Sequence, residues 1–445
     1  MYVRLRLDDL ELTNFHQFKH YSINFDEHLT VLVGNNGSGK SSMLSAASVA
    51  AGTFLYGLGE TGKKGLSRRD ARVASYDMGG SVDRQEQYPV IVSACGLIGD
   101  GELHDWARSL NSENGRATIL DARNVVNHSH EIFKKIRDGD NETILPIIVH
   151  YGTDRLWSDT RLNIPNRHER FSRQDGYKNA LTASVNSRSM LSWFFNMTVQ
   201  DVQRAQSIRP SAPNPLFAAV RRAVEECFAR ITESKSVRVT YNLNADDLDV
   251  EYIDKYGKIN KELMGILSDG YKTTLCTVAD IAYRMAVLNP MLGNDVLSTP
   301  GIVMIDEIDL HLHPLWQARI LGDLLAIFPN VQFIVTTHAP LVISSVSSKH
   351  VRILDGGDLA RTPSSELYGS DAGSVLTLVM GATERPREVQ DKLNEFYSIL
   401  DYGEFNRART ILADLEREMG KTNTSLVAAR TALSLEEEEA RYAAD

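Results

Sequence analysis

Hydrophobic positions change period along the chain, and the changes mark its elements. The opening MYVRLRLDDLELTNF alternates apolar and charged residues, with no basic segment, apolar core and small-residue cleavage site of a secretory leader. Leu29 to Val33 is an unbroken apolar, β-branched run that stops at Gly34, and from about Lys40 an Ala- and Ser-rich stretch can be helical. Two further apolar runs, Gly301–Ile305 and Val331–Val335, have the look of buried parallel strands. Between the first strand and these two, Leu275, Val278, Ala279, Ala282, Tyr283 and Ala286 fall at helical spacing after a polar turn at 267–270. No sustained heptads lie between Ser41 and Ser268, which excludes long coiled-coil arms there. Near the end, Val389, Leu393, Phe396 and Leu400, then Phe405, Ala408, Leu412 and Leu415, recur every three or four residues on either side of Asp401-Tyr402-Gly403. That spacing predicts an αα-hairpin. The closing LSLEEEEARYAAD is expected to be a solvated acidic end, with a surface for a basic partner as the other reading.

The 445 residues leave room for two or three packed units. Three cysteines, Cys95, Cys227 and Cys276, lie far apart and match no CxxC spacing, which fits a reducing cytoplasm. No stretch approaches the ~18 apolar residues needed to cross a bilayer, so no membrane partner is expected. A net charge of −10 argues against a chain wrapped throughout on nucleic acid, but a local basic face remains open. Lys63, Lys64, Arg68, Arg69 and Arg72 are its candidates, against the plainer reading of a solvated loop.

The chemistry-bearing residues sit where the runs end. Gly34-Asn35-Asn36-Gly37-Ser38-Gly39-Lys40-Ser41, followed by Ser42, fits G-x-x-x-x-G-K-[ST] at every fixed position and lies between a strand and a helix. Such a loop curls its N–H groups around phosphate oxygens; Lys40 would reach the β and γ phosphates and Ser41 would ligate Mg²⁺. In GIVMIDEIDLHLHP, residues 301–314, Asp306 ends a strand where it could complete the Mg²⁺ shell, and Glu307 next to it could act as general base towards a water. The same stretch could be a metal cluster, but His311 and His313 are two apart and followed by Pro314, so they cannot pair across one helix face. His338 follows the third strand; alone it would be structural, but its place after the Glu307 strand suits a γ-phosphate sensor. Ser268 and Gly270 open the later helix, a plain N-cap by themselves and a phosphate-contacting surface in this order of elements.

Taken in order, these elements resemble the ABC-type, AAA-related ATPase heads of the SMC, RecF and OLD group: a Walker A loop at 34–41, a signature at 267–270, Walker B at Asp306 and Glu307, and a switch histidine at His338. The upstream Asn14-Phe15 belongs to the same resemblance. It implies an α/β fold in which a P-loop sheet is flanked by helices, with ATP and Mg²⁺ as cofactors. It also implies a homodimer or higher oligomer in which Ser268 of one subunit faces the ATP on Lys40 of another. The family's Mg²⁺-ligating glutamine has no obvious counterpart; His150 or Tyr151 in LPIIVHYGTDRLW stands nearest. Residues 1–155 are expected to form the first lobe with an inserted helical or irregular region at about 50–140. A helical lobe at 156–290 would carry the signature, 291–360 the Walker B lobe, and 361–445 a helical extension for docking partners.

LPIIVHYGTDRLW, SRQDGYKNAL with the later WFF at 193–195, DEIDLHLHP and YGSDAGSVLTLVMGATERP narrow the resemblance to the ATPase subunit of Septu-type anti-phage systems, the kind that also accompanies some retrons. That family implies a cytoplasmic ATPase working with a separate HNH-type nuclease, and in retrons with a reverse transcriptase and its RNA and DNA. No Toprim-like carboxylate set follows His338, which sets aside a fused nuclease. The alternative is a RecF- or SMC-like ATPase acting directly on DNA in repair.

Overall fold

Apolar runs far apart in sequence meet in one sheet because both faces of each are hydrophobic and each needs cover on two sides. The computed structural model describes residues 3–59, 64–78, 81–99, 101–153, 172–183, 187–206, 212–382 and 385–444. Its strands are β1 Arg4–Phe15, β2 Phe18–Asn24, β3 Leu29–Val33, β4 Val73–Asp77, β5 Val82–Glu86, β6 Val90–Gly99, β7 Leu103–Leu110, β8 Ile147–Tyr151, β9 Ser236–Asn242, β10 Asp247–Ile253, β11 Ile259–Leu263, β12 Gly301–Ile305, β13 Val331–Thr336 and β14 Val351–Ile353. The parallel sheet runs β14-β3-β13-β12-β8, so the strands ending in the Lys40 loop, in His338 and in Asp306 are consecutive neighbours. Every residue of β3, β8, β12 and β13 is buried. The fold class is therefore α/β with a parallel P-loop sheet, as expected.

A second, antiparallel sheet runs β2-β1-β6-β7. The helix Lys40–Gly52 packs against strands of both sheets and is buried around most of its circumference, the condition that an Ala-rich, all-round apolar helix satisfies. Gln332 of β13 stitches the sheets together: its amide donates to the Leu7 and Asp26 carbonyls at 2.7 and 2.9 Å and accepts from the Leu7 N–H at 2.9 Å.

Two expectations change here. The 50–140 stretch is not wholly helical or irregular, because β6 and β7 lie inside it and β6 pairs with β1 from Thr13↔Ile91 to Arg4↔Gly99. Alternate burial along Val90–Gly99 is the signal that its polar, Gly-containing flanks obscure. The lobe carrying the signature is not purely helical either, since β11-β10-β9 form a three-stranded antiparallel sheet in it.

The chain divides into compact units at 1–372 and 373–445. In the second unit, helices Arg387–Asp401 and Phe405–Met419 form the expected hairpin, and a third helix, Thr424–Ala444, joins it. Their shared core holds Leu393, Phe396, Leu400, Ala408, Leu412, Leu415, Leu426, Ala429 and Leu433. The acidic run 436–439 continues the third helix, and Glu437 pairs with Arg409 at 2.8 Å. Among the described residues no helix is long and apolar enough to cross a membrane.

Candidate active site

The loop after β3 turns on three glycines with positive φ: Gly34 at 149°, Gly37 at 82° and Gly39 at 102°. A side chain at Gly34 would run into the Leu354 carbonyl, and one at Gly39 into Gln17 and Phe18. Asn35, Asn36 and Gly37 are exposed, Ser38 is half-buried with its Oγ enclosed and unpartnered, and Ser41 faces solvent. The buried Lys40 folds back so that Nζ donates to the carbonyls of Gly34 at 2.9 Å and Asn35 at 3.1 Å. Burial lowers its pKa, opposed by the charges of Asp306, Glu307 and Asp309, which lie within electrostatic reach of the ammonium. Ser42 Oγ donates to Gln17 Oε1 at 3.0 Å. Gln17 sits in the β1–β2 turn, where Asn14 and His16 adopt φ of 49°. Sequence reasoning found Asn14-Phe15 but not Gln17; polar residues between two strands are the only signal it leaves.

Asp306 is buried at the end of β12, and its neighbour Glu307 is half-buried with φ 48°, a left-handed conformation that non-glycine residues rarely adopt. One hydroxyl holds both: Thr336 Oγ1 donates to Asp306 Oδ1 at 2.6 Å and accepts from the Glu307 N–H at 2.7 Å. Thr337 Oγ1 donates to Asp309 Oδ1 at 2.5 Å and accepts from the Ala339 N–H at 3.0 Å. His338, half-buried, has its pKa lowered by burial and then by the Lys40 charge, with Asp309, Glu307 and Asp306 opposing. Lys40, Asp306, Glu307 and His338 are thus brought together, as their strand order predicts. The paired threonines were legible only as residues at a strand end.

His150 and Tyr151 separate. Tyr151 donates to Asp280 Oδ2 at 2.7 Å within a fully buried group that includes the Arg284–Asp280 ion pair at 2.7 Å, so it is a core residue. His150 is buried with Nδ1 unpartnered; burial and the Lys64 charge push it down to about 4, and Asp306 opposes them. The Tyr151 carbonyl accepts from the Asp306 N–H at 2.8 Å, while the His150 side chain is the one within electrostatic reach of the Asp306 carboxylate.

His311 and His313 are exposed; His313 Nδ1 caps the short helix Pro314–Gln317 by accepting from the Leu315 N–H at 3.3 Å. Among the described residues no group of three or more His, Cys, Asp or Glu side chains could hold a metal ion. Ser268 stands exposed at the N-cap of the helix Asp269–Leu288 and makes no side-chain capping bond. Gly270 is buried against the His311 carbonyl, so a tight approach of two loops needs it. Of the basic run, Lys63 lies outside the described residues. Burial pushes Lys64 down to about 8, and Arg68 is committed to Glu86 at 2.7 Å and Glu113 at 2.5 Å.

The donor set suits magnesium: an exposed hydroxyl at Ser41 and a carboxylate at Asp306 are hard oxygen ligands, beside a glycine loop that a Cβ would obstruct. The arrangement can bind a polyphosphate and present a base to a water.

The family model described as "AAA domain" matches residues 9–206, and one described as "AAA domain, putative AbiEii toxin, Type IV TA system" matches 131–344. A protein of Vibrio cholerae serotype O1 biovar El Tor named "Retron Vc95 probable ATPase" is 25% identical, the match covering 92% of this chain and 86% of that protein. "Septu protein PtuA" of Bacillus mycoides strain KBAB4 is 33% identical over 32% of this chain and 18% of its own. Among solved structures, an Smc head domain with an extended coiled coil, bound to the C-terminal domain of ScpA derived from Pyrococcus furiosus, is similar at a TM-score of 0.45. It is 15% identical, and the match covers 81% of this chain and 96% of that one.

Proposed function

We propose that this chain, whose residues 9–206 and 131–344 match AAA-domain family models, is the regulatory ATPase of an anti-phage defence complex, controlling a nuclease supplied by a separate chain. The observation that carries the ATPase part is the Thr336 hydroxyl joining Asp306 to the Glu307 backbone, with Lys40 and His338 within electrostatic reach of both carboxylates. The likeness to a retron ATPase over most of the chain supports the defence part.

In this reading the N–H groups of residues 34–41 and the Lys40 ammonium hold the β and γ phosphates of ATP. Ser41 and Asp306 would hold Mg²⁺, which when bound neutralises phosphate charge. Glu307 accepts a proton from water as its oxygen bonds to the γ phosphorus; the bond to the bridging oxygen breaks, and ADP and phosphate leave. Thr336 keeps the Glu307 backbone in its left-handed conformation and holds Asp306 in place. His338, its pKa lowered by burial and by the Lys40 charge, is placed to hydrogen-bond the γ phosphate. Ser268, left unused by the helix it begins, is offered to the nucleotide of a second copy, so the working unit is a dimer or a higher oligomer.

Co-purification of the tagged chain with the products of neighbouring genes, with and without ATP and Mg²⁺, tests the reading. A stable complex with a small HNH-type nuclease, with or without a reverse transcriptase, supports it. The ATPase alone, binding DNA ends with a steep salt dependence, would point to direct action on DNA.

A further inference from the structure

Ser268 and Glu307 lie on different elements, yet the structure joins the turns that carry them. The joint begins at Gly270, whose Cα is pressed so close to the His311 carbonyl that a Cβ would overlap it, with the Trp316 ring next nearest. His311 has φ 62°, and the turns between Glu307 and His311 are closed by Leu310 N–H to the Glu307 carbonyl at 2.9 Å and Leu312 N–H to the Asp309 carbonyl at 3.0 Å. One residue beyond Gly270, the Tyr271 ring packs on Trp316 with centroids 4.3 Å apart. Phe228 packs on Tyr271 at 5.7 Å and on Tyr252 of β10 at 4.9 Å, while the His313 ring lies 5.9 Å from that of Trp316.

Aromatic pairs at these separations stabilise one another beyond the effect of their burial. Just beyond the Ser268 turn, Thr273, Thr274, Thr277 and Val278 of the helix Asp269–Leu288 back onto Ile305, Ile308 and Leu310 around a void of only about 10 Å³, so the helix is closely packed on the Glu307 segment.

We propose that Trp316, clamped by Tyr271 and by the Gly270–His311 contact, is a positioning residue that makes the Glu307 turn and the Ser268 turn move as one body. It rests on the reading of the chain as an ATPase whose Ser268 serves a second copy. A subunit then reports the state of its own hydrolytic turn through the Ser268 it presents to its neighbour's nucleotide. Trp316 touches no reacting atom; it acts through the backbone of 307–316.

The test compares Trp316→Ala, Trp316→Phe and Gly270→Ala with the unaltered chain by ATP turnover, by binding of a fluorescent ATP analogue and by amide hydrogen exchange. Trp316→Ala is expected to lower kcat by about 10-fold or more, the size of a misplaced catalytic group, while nucleotide affinity stays within roughly threefold because the P-loop is untouched. Trp316→Phe, which keeps a ring on Tyr271, should restore at least about half the turnover. Hydrogen exchange reads the coupling without turnover: Trp316→Ala should speed exchange at 268–272, and Gly270→Ala should speed it at 307–316. Unchanged exchange at the distant turn in both variants overturns the clamp, as does equal loss of turnover in Trp316→Phe and Trp316→Ala. If Trp316→Ala does not fold, Gly270→Ala carries the same test from the other side. Absence of Glu307-dependent turnover in the unaltered chain would instead refute the ATPase reading, leaving the exchange result to judge the clamp.

Discussion

At the scale of single residues, the site depends on groups that hold the reactive ones. Thr336→Val keeps the shape but leaves the Asp306 Oδ1 and Glu307 N–H contacts unmade. A cost of about 1–3 kcal/mol in unfolding free energy follows from the unsatisfied partners, together with slower turnover, both read on the purified variant. Glu307→Gln should retain ATP and slow hydrolysis by roughly 10²-fold, the usual size of losing a general base, whereas Lys40→Ala should fail in a nucleotide-binding titration. His150 gives a pH signature. Its ordinary pKa of 6.5 falls to about 4 in the fold, so the unfolded chain binds the extra proton between those values. Its share of stability is full above about 6.5 and is lost as pH falls towards about 4, which thermal melts across that window would show. Lys40, Asp306, Glu307 and His338 were legible because strand, loop and helix patterns surround them. Gln17, Thr336 and Thr337 were not, since a polar residue at a strand end looks the same whether it braces a carboxylate or faces water.

At the scale of elements, legibility followed hydrophobic period. β3, β12 and β13 announce themselves as unbroken apolar runs, and the helix after Ser268 by its 3.6-residue spacing. β6 and β7 did not, because the segments around them are polar and the strand that β6 joins, β1, is some 80 residues away, beyond what a local pattern can report. The helix Thr424–Ala444 lies in the stretch expected to be helical, but its packing on the hairpin through Leu426, Ala429 and Leu433 was not read from its acidic sequence. Because those three close the core on the hairpin, the C-terminal unit is a three-helix assembly with its own interior. Phe396→Ala, at a position with no exposed surface, should destabilise that unit by about 3–5 kcal/mol. A protease digest would reveal this as cleavage within 373–445 while 1–372 persists; parallel loss of both units would show that they do not fold as separate bodies.

At the scale of the whole molecule, the account requires the chain to act with copies of itself. In the proposed arrangement Ser268 and Lys40 of one site come from different copies of the chain, so defects in them should complement. Mixing a Lys40→Ala chain with a Ser268→Arg chain, each inactive alone, is the most direct measurement. Random pairing into symmetric dimers puts one intact site in half of the molecules, so ATP turnover should recover to roughly a quarter of the unaltered level. Recovery near that value would establish a site shared between copies with Lys40 and Ser268 as its two halves. A mixture that stays as inactive as either parent, although size measurement shows the two chains paired, would contradict it.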